Sequence, residues 1–310
     1  MKGNHENVLV TLYGPNYIQN DWTIPCMKSW KNILNISHSD FYVLPDKTLS
    51  ATEKKTFSEL NFKTTNADEE IDKFLNKYPA LKFIRENDAT WRKIIDVGII
   101  FREAEKITII DTDVFVKDQI NLPLKDIDIV YMREDIPAYR GKWNMVWKEK
   151  MVPALNAGIV IVDPKIIDYG YLESLVLNYL QGCKNYWWSE QSAWACLAGK
   201  SKRRFVFSGE QVRVTSGMRQ RSAKEISNNS YKYFGNKEMI KNYKEFEPLL
   251  YGGSIFHFAG PGKYMFKKSQ EYLLQNIKPN SITIDAHNEE TLNFQDKIFI
   301  SMRLYLKEKF

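Results

Sequence analysis

The stretch "ITIIDTDVFV", residues 107 to 116, sets four β-branched residues in front of two acids separated by one threonine, then returns to apolar residues. A run of that kind predicts a buried strand, because β-branched side chains pack well on a pleated sheet. Side chains at i and i+2 of a strand share a face, so Asp111 and Asp113 are expected to point together, with Thr112 on the other side. Their place at the carboxyl end of the strand is where open α/β sheets hold ligands. Two adjacent carboxylates repel one another and are costly to bury uncompensated, and a divalent cation removes that cost. The competing reading is a turn in which the acids cap a helix or hydrogen-bond the loop.

Outward from this stretch the chain alternates strand-like and helix-like patterns. Strand runs begin at Val8, Phe41, Ile107, Asp128, Ala157, Arg204 and Ser254, and the segment from Trp91 to Lys106 carries an apolar stripe at helical spacing. Pro164 reads as the first residue of a helix running to Leu180, with Asp163 as its N-cap. Strand, helix, strand argues for an α/β fold with a mainly parallel, mixed central sheet flanked by helices. The polar segment from Thr215 to Glu247 reads as an inserted loop. No interdomain linker is evident. The expected organisation is a catalytic domain over residues 1 to 270 and a helical extension over 271 to 310.

Composition bounds the rest. The 310 residues are 44% hydrophobic and 26% charged, ordinary values for a folded globular chain. Forty-four Lys and Arg against 38 Asp and Glu give a net charge of +6, which favours anionic partners in general. The densest basic run, "KSKRR" from Lys200, reads as a solvated loop, and nucleic acid is not expected as a partner. No apolar run is long enough for a membrane span, and the polar start "MKGNHENVLV" lacks the core of a secretory signal, so a cytoplasmic location is expected. Cys26, Cys183 and Cys196 are scattered and read as free thiols.

Three further elements bear on the acids. "HFAGPGK" places His257, Gly260 and Lys263 in the spacing H-x-x-G-x-x-K, which can supply a third metal ligand, backbone amides near phosphate and a cation. "LNAGIVIVD" opens a strand with Asn156, Ala157 and Gly158, a shelf of small residues beside one amide. "WWSEQSAW" sets Glu190 and Gln191 at a helix start, with Ser189 as N-cap. Oxygen ligands suit a hard cation such as Mg²⁺ or Mn²⁺ bridging carboxylates and a diphosphate.

In this order, "IIDTDVFV", "LNAGIVIVD", "SEQSAW" and "HFAGPGK" resemble the GT-A glycosyltransferases, most of all family 8, the glycogenin and bacterial lipopolysaccharide galactosyltransferase group. The resemblance implies a GT-A (Rossmann-like) fold and a nucleotide-sugar donor, usually a UDP-sugar, with Mn²⁺ (or Mg²⁺) held by Asp111, Asp113 and His257. It implies that Lys263 meets the diphosphate and that Asn156, Glu190 and Gln191 line the donor sugar, with Gln191 near the reacting carbon. Thr112, Ala157, Gly158 and Gly260 join the donor-contacting set, and Tyr13 or Tyr17 is the candidate for stacking on the base. It further implies a hexosyltransferase that retains the anomeric configuration. The chain departs from the family in carrying Glu190 where an Asp is common, Tyr264 and Met265 where Pro-Trp often follows, and "YGPNY" near its start.

An inverting mechanism would need a carboxylate base, for which Glu134 and Asp135 are available in sequence. The acceptor is expected to be a glycan, a lipid-linked sugar or a protein. Trp143, Trp147, Trp187 and Trp188 are candidates for a sugar-stacking platform. The stretch from Leu292 to Phe310 mixes Phe294, Ile298, Met302 and Leu306 with Lys297, Arg303, Lys307 and Lys309, which predicts a helix packed on the domain, with peripheral membrane contact as the second reading. Two other functions fit an acidic pair with a divalent metal: a sugar-phosphate nucleotidyltransferase, and a nucleotide-sugar-binding protein without turnover.

Overall fold

The computed structural model describes residues 7–14, 17–65, 67–134, 137–183, 186, 188–217 and 240–309. Asp135, Trp187 and residues 218–239 of the polar segment lie outside the described residues. The strands, in chain order, are β1 (Asn7–Tyr13), β2 (Phe41–Pro45), β3 (Lys63–Thr64), β4 (Lys106–Ile110), β5 (Val114–Val116), β6 (Ile120–Asn121), β7 (Ile129–Arg133), β8 (Leu155–Val162), β9 (Arg204–Phe207), β10 (Val212–Val214), β11 (Ile255–His257), β12 (Ile282–Thr283) and β13 (Ala286–Asn288). An eight-stranded sheet runs in the order β13-β9-β7-β8-β4-β1-β2-β3. Strands β3, β2, β1 and β4 are parallel, β8 runs antiparallel between β4 and β7, and β9 is parallel to β7. The chain therefore has the mixed, mainly parallel sheet flanked by helices that its strand and helix patterns lead one to expect.

The sheet separates two apolar layers, and the pleat assigns residues to them. Val8, Val10, Ile107, Ile109, Val160 and Val162 face one layer, while Leu9, Ile110, Ile159 and Ile161 face the other. Strands buried on both faces read as continuous apolar runs, which is why β4 and β8 stand out in the sequence. A three-stranded sheet, β10-β11-β5, sits against a third cluster containing Phe115, Phe256, Phe258 and Phe266.

The helical expectations need three corrections. The segment from Trp91 to Lys106 is a 3-10 turn, Ala89–Lys93, followed by a short helix, Ile95–Ile100. Pro164 opens only a 3-10 turn, Pro164–Ile166; the α-helix Tyr169–Leu175 starts later, where the Asp168 side chain accepts from the Tyr171 N–H. That carboxylate is the stronger stop-and-restart signal, since it satisfies an otherwise orphaned helix N–H. Ser189 is the first helical residue of Ser189–Lys200 and not its cap, because Trp188 holds that place at φ 73° and the Ser189 hydroxyl instead accepts from the Trp91 indole at 2.7 Å.

One ion cluster locks the 3-10 turn in place. Asp96, fully buried, takes Arg85 Nε at 2.6 Å on one oxygen, and Arg85 Nη2 at 2.9 Å and Arg92 Nε at 2.6 Å on the other. Arg92 also donates to the Pro45 carbonyl at the end of β2. The turn that carries Lys93 is thereby tied to the sheet.

The last helix, Phe294–Lys309, packs on the core through Phe299, Ile300 and Leu304, and its Lys307 donates to the Tyr139 carbonyl at 3.2 Å. Phe294, Met302 and Leu306 are exposed. Among the described residues no helix is long and apolar enough to cross a membrane. Arg203 and Arg204 of the basic run are held within the fold, the first by Asp128 and the second by the carbonyls of Ser201 and Glu289. Cys26 and Cys196 are buried free thiols and Cys183 is half-buried.

Candidate metal centre

Asp111 and Asp113 converge by a different route from simple alternation along one strand. β4 ends at Ile110 and β5 begins at Val114, so the acids lie in the turn between them, closed by the Val114 N–H donating to the Asp111 carbonyl at 3.0 Å. The turn is pinned to the sheet, since the Asp111 N–H donates to the Gly158 carbonyl on β8 at 2.8 Å. Antiparallel pairing of β5 with β11 then sets His257 opposite Val114, and the Phe258 N–H donates to the Asp113 carbonyl at 3.0 Å. Sheet register brings His257 to the two acids.

Donor atoms of Asp111, Asp113 and His257 all lie within 4.8 Å of one another. His257 Nε2 is 3.3 Å from Asp113 Oδ1 and 4.0 Å from Asp111 Oδ2. His257 Nδ1 meets Asn156 Oδ1 at 2.9 Å, and the same oxygen accepts from the Gly158 N–H at 2.8 Å, so Asn156 Oδ1 is an acceptor and Nδ1 carries the proton. Nε2 is thereby turned toward the acids. The other end of the Asn156 amide donates to Glu134 Oε2 at 2.7 Å. A carboxylate, an amide and an imidazole in series fix the ring as the outer partners of metal-bound histidines do. Gly158 is required by this packing: a Cβ there would stand 2.2 Å from His257 Nδ1.

The residues fit a hard divalent cation. Asp113 Oδ1 is buried and has no hydrogen-bond partner, although Nε2 faces it at 3.3 Å. A buried carboxylate oxygen is normally satisfied, and one that faces an imidazole nitrogen and a second acid offers the donors that a divalent cation takes. Two lysines balance the outer sides of the acids. Lys93 Nζ lies 2.6 Å from Asp111, and Lys263 Nζ lies 2.8 Å from Asp113 and 5.6 Å from the Trp22 ring centroid. The Asp113 side chain is 7% exposed and that of Asp111 25%, so the centre opens on the Asp111 side.

Electrostatics follow from this crowding. Burial alone would raise the Asp113 carboxyl, but His257 and Lys263 hold it well below the usual carboxylate range. Burial alone would lower His257, yet Asp113, with Asp111 and Glu134 behind it, raises it above the ordinary imidazole value. Lys93 is likewise raised against its burial, by Asp111 and Glu190. Burial pushes the Glu190 carboxyl up to about 7, opposed by Lys93 and reinforced by Asp111.

The other sequence candidates divide. Glu190 and Gln191 reach the centre from the helix Ser189–Lys200: Glu190 Oε1 accepts from the Trp194 indole at 2.7 Å, and Gln191 Oε1 accepts from the Ala157 N–H at 3.2 Å while its amide donates to the Ala138 carbonyl. Asn156, Ala157 and Gly158 form the shelf beside His257, and Thr112 is buried in the turn between the acids. Gly260, at φ 50°, begins the 3-10 turn Gly260–Met265 that swings Lys263 toward Asp113. Tyr13 does not line an open face: it is 1% exposed, and its hydroxyl donates to Glu53 and accepts from the Ile18 N–H, so base stacking by this ring is ruled out by its place in the core. Tyr17 is 40% exposed and close enough to Lys263 to act on its charge. Trp143 and Trp147 are exposed near the last helix.

Lys93 is the residue that sequence reasoning missed. It sits in "WRKIID" beside Arg92, where nothing local sets it apart from a surface lysine. The flanking partners of Asp96 are the only sequence clue to a buried turn there.

No protein-family model matches the chain, nor does any curated protein. Among solved structures, it is similar to apo mouse xyloside xylosyltransferase 1, with 11% identity and a TM-score of 0.44 over 83% of this chain and 98% of that one. It is similar to the apo WbbM bifunctional glycosyltransferase at 15% identity and a TM-score of 0.45, over 99% of this chain and 52% of that one. The galactosyltransferase LgtC, in complex with donor and acceptor sugar analogues, aligns at 13% identity and a TM-score of 0.42, over 88% of this chain and 96% of that one.

Proposed function

We propose that this chain is a metal-dependent GT-A glycosyltransferase that moves a hexose from a nucleotide-sugar donor, a UDP-sugar, to a hydroxyl of a glycan, lipid-linked or protein acceptor, with retention of configuration. The observation that carries the reading is the convergence of Asp111, Asp113 and His257, with an unpartnered buried oxygen on Asp113 and a lysine on each acid. Mn²⁺ or Mg²⁺ held there would act as a Lewis acid toward the diphosphate, a role that supplies several kcal/mol of barrier reduction.

The chain's own residues do the rest. In the transfer, the bond from the anomeric carbon to the phosphate oxygen breaks and the electron pair leaves with the nucleotide. Lys263, on a glycine-started turn, meets that growing negative charge. The acceptor oxygen bonds to the anomeric carbon and its proton passes to the departing phosphate. Asn156, Glu190 and Gln191 line the sugar, Glu190 oriented by Trp194 and Gln191 by the backbone at Ala138 and Ala157. Tyr17 is the ring available to the base. A lipid-linked acceptor would bring the exposed Phe294, Met302 and Leu306 toward a membrane surface.

A panel of nucleotide sugars incubated with Mn²⁺ tests this, scored for nucleotide release and for thermal stabilisation. UDP-sugars that stabilise the protein and are slowly hydrolysed, with both effects abolished by EDTA, support the transferase. Pyrophosphate release from sugar phosphate and nucleoside triphosphate would replace it with a nucleotidyltransferase. Stabilisation without any turnover would leave a binding protein.

A further inference from the structure

The last helix is apolar on more than the side it buries. Ile300 and Leu304 pack on the core. At about 100° per residue, Phe294, Ile298, Met302, Tyr305 and Leu306 fall within an arc of about 120° that points away from those two. Phe294 is 68% exposed and Met302 53%, and Tyr305 and Leu306 are exposed with them. Single apolar residues on a surface are ordinary, whereas a contiguous row of them marks a place where something docks.

The short helix Met145–Lys148 widens this row. The Trp147 ring meets Phe294 edge-on at 5.7 Å, its indole N–H donates to the Ser301 hydroxyl, and that hydroxyl donates to the Trp143 carbonyl at 3.3 Å. Ser301 thereby ties the two helices together, and both tryptophans are exposed beside the row. The segments 142–150 and 294–309 hold six of the fourteen large hydrophobic residues exposed among the described residues, so the patch is a concentration and not a sample of the whole surface.

Charge says what covers it. The same two segments carry seven basic residues against three acids. Glu149 and Asp296 are engaged within the fold, by the Tyr171 hydroxyl and the Asn293 N–H, whereas Lys148 and Lys150 are exposed and form no ion pair among the described residues. Aliphatic residues, aromatic rings and ammonium groups side by side suit a bilayer with anionic headgroups, which takes the apolar row into its acyl boundary, the rings at headgroup level and the lysines on phosphate. An oligosaccharide stacked on the rings would need hydroxyl partners among them. The helix instead offers Ile298, Met302 and Leu306 there, and the Trp147 indole N–H is already taken.

We infer that the face formed by Trp143, Trp147, Phe294, Met302, Tyr305 and Leu306, with Lys148 and Lys150 beside it, docks the protein on an anionic lipid bilayer. The docked helix is tied to the donor side of the site: Lys307 donates to the Tyr139 carbonyl, and the neighbouring Ala138 carbonyl accepts from the Gln191 amide. An enzyme seated in this way meets a lipid-linked acceptor, which the inference selects from the three acceptor classes. That selection rests on the transferase reading; the docking face does not. Co-flotation of the full chain with phosphatidylcholine vesicles, with and without phosphatidylglycerol, is measured for the wild type, Phe294→Ser/Met302→Ser, Lys148→Glu/Lys150→Glu and the control Leu274→Ser, an exposed leucine on the helix Phe266–Gln275.

All the substituted side chains are exposed, so each variant is expected to keep the wild-type thermal unfolding. The wild type should float with the phosphatidylglycerol vesicles and be released by high salt. Phe294→Ser/Met302→Ser should bind them at least about tenfold more weakly, Lys148→Glu/Lys150→Glu at least about fivefold more weakly, and Leu274→Ser equally well. No flotation of the wild type with anionic vesicles, or equal flotation of all the variants, overturns the docking face. Without vesicle binding, a dimer that Phe294→Ser/Met302→Ser dissolves reassigns the face to a second copy of this chain, and maltoheptaose binding that the same variant abolishes reassigns it to sugar stacking. Flotation without nucleotide release from any UDP-sugar sinks the transferase reading and leaves the docking face standing; release without flotation does the reverse.

Discussion

Asp96 and Asp113 are both buried carboxylates held between two cationic partners, and they have opposite characters. Asp96 is closed: both oxygens are bonded, the partners are arginines whose planar forks match a carboxylate, and no part of it is exposed. Asp113 is open: one oxygen takes Lys263, the other faces His257 without a hydrogen bond, and the partners are a point charge and a titratable ring. A satisfied cluster stabilises; an unpartnered carboxylate oxygen that faces a histidine nitrogen and a second acid has the donor set of a ligand site. Four measurements bear on that distinction.

The largest effect is expected at the open site. Asp113→Ala should reduce metal-dependent nucleotide release by about 10³-fold or more, on the scale of losing several kcal/mol of Lewis-acid stabilisation. Thermal unfolding of the metal-free variant should move only slightly. A variant that keeps full activity would end the metal assignment. At the closed site the roles reverse: Asp96→Ala strands two arginines and should cost about 3–5 kcal/mol in denaturant unfolding. Metal affinity measured on the surviving folded fraction should change far less. If Asp113→Ala were the more destabilising of the two, the contrast between the clusters would be wrong.

A smaller effect tests the outer support. Asn156→Ala removes the acceptor that fixes the His257 tautomer and should weaken Mn²⁺ binding about 10–100-fold in a metal titration. Unchanged affinity would show that packing against Gly158 orients the ring unaided. The smallest effect is in pH. Metal binding needs a neutral imidazole, and the metal-free site holds His257 protonated above its ordinary range because Asp113, Asp111 and Glu134 outweigh burial. Mn²⁺ affinity should therefore rise with pH, by up to about tenfold per unit, and level off once the pH passes the raised His257 value. A flat profile through the imidazole range would exclude His257 as a ligand.

Much of the fold and of the centre was legible because it is written locally. Apolar, largely β-branched runs marked β1, β4 and β8; the two acids follow β4, Asn156 lies in β8, and His257 ends the short apolar strand β11. What stayed hidden depends on partners far along the chain. The acids meet through a turn whose shape is set by β8 and β11, and Lys93 reaches Asp111 because Asp96 gathers Arg85 and Arg92 around its turn. Tyr13 reads like any aromatic at the end of a strand, and only Glu53 and Ile18 draw it inward.

The pairing of β11 with β5 has a consequence for synthesis. A ribosome delivers the chain from its amino end, and a nascent chain that has emerged only through β10 carries Asp111 and Asp113 but not His257. Until the segment around residue 257 docks, Asp111 and Asp113 have Lys93 for company and cannot retain a cation tightly. The centre is thereby completed by long-range pairing, and a cation would be held tightly there only after β5 and β11 have joined.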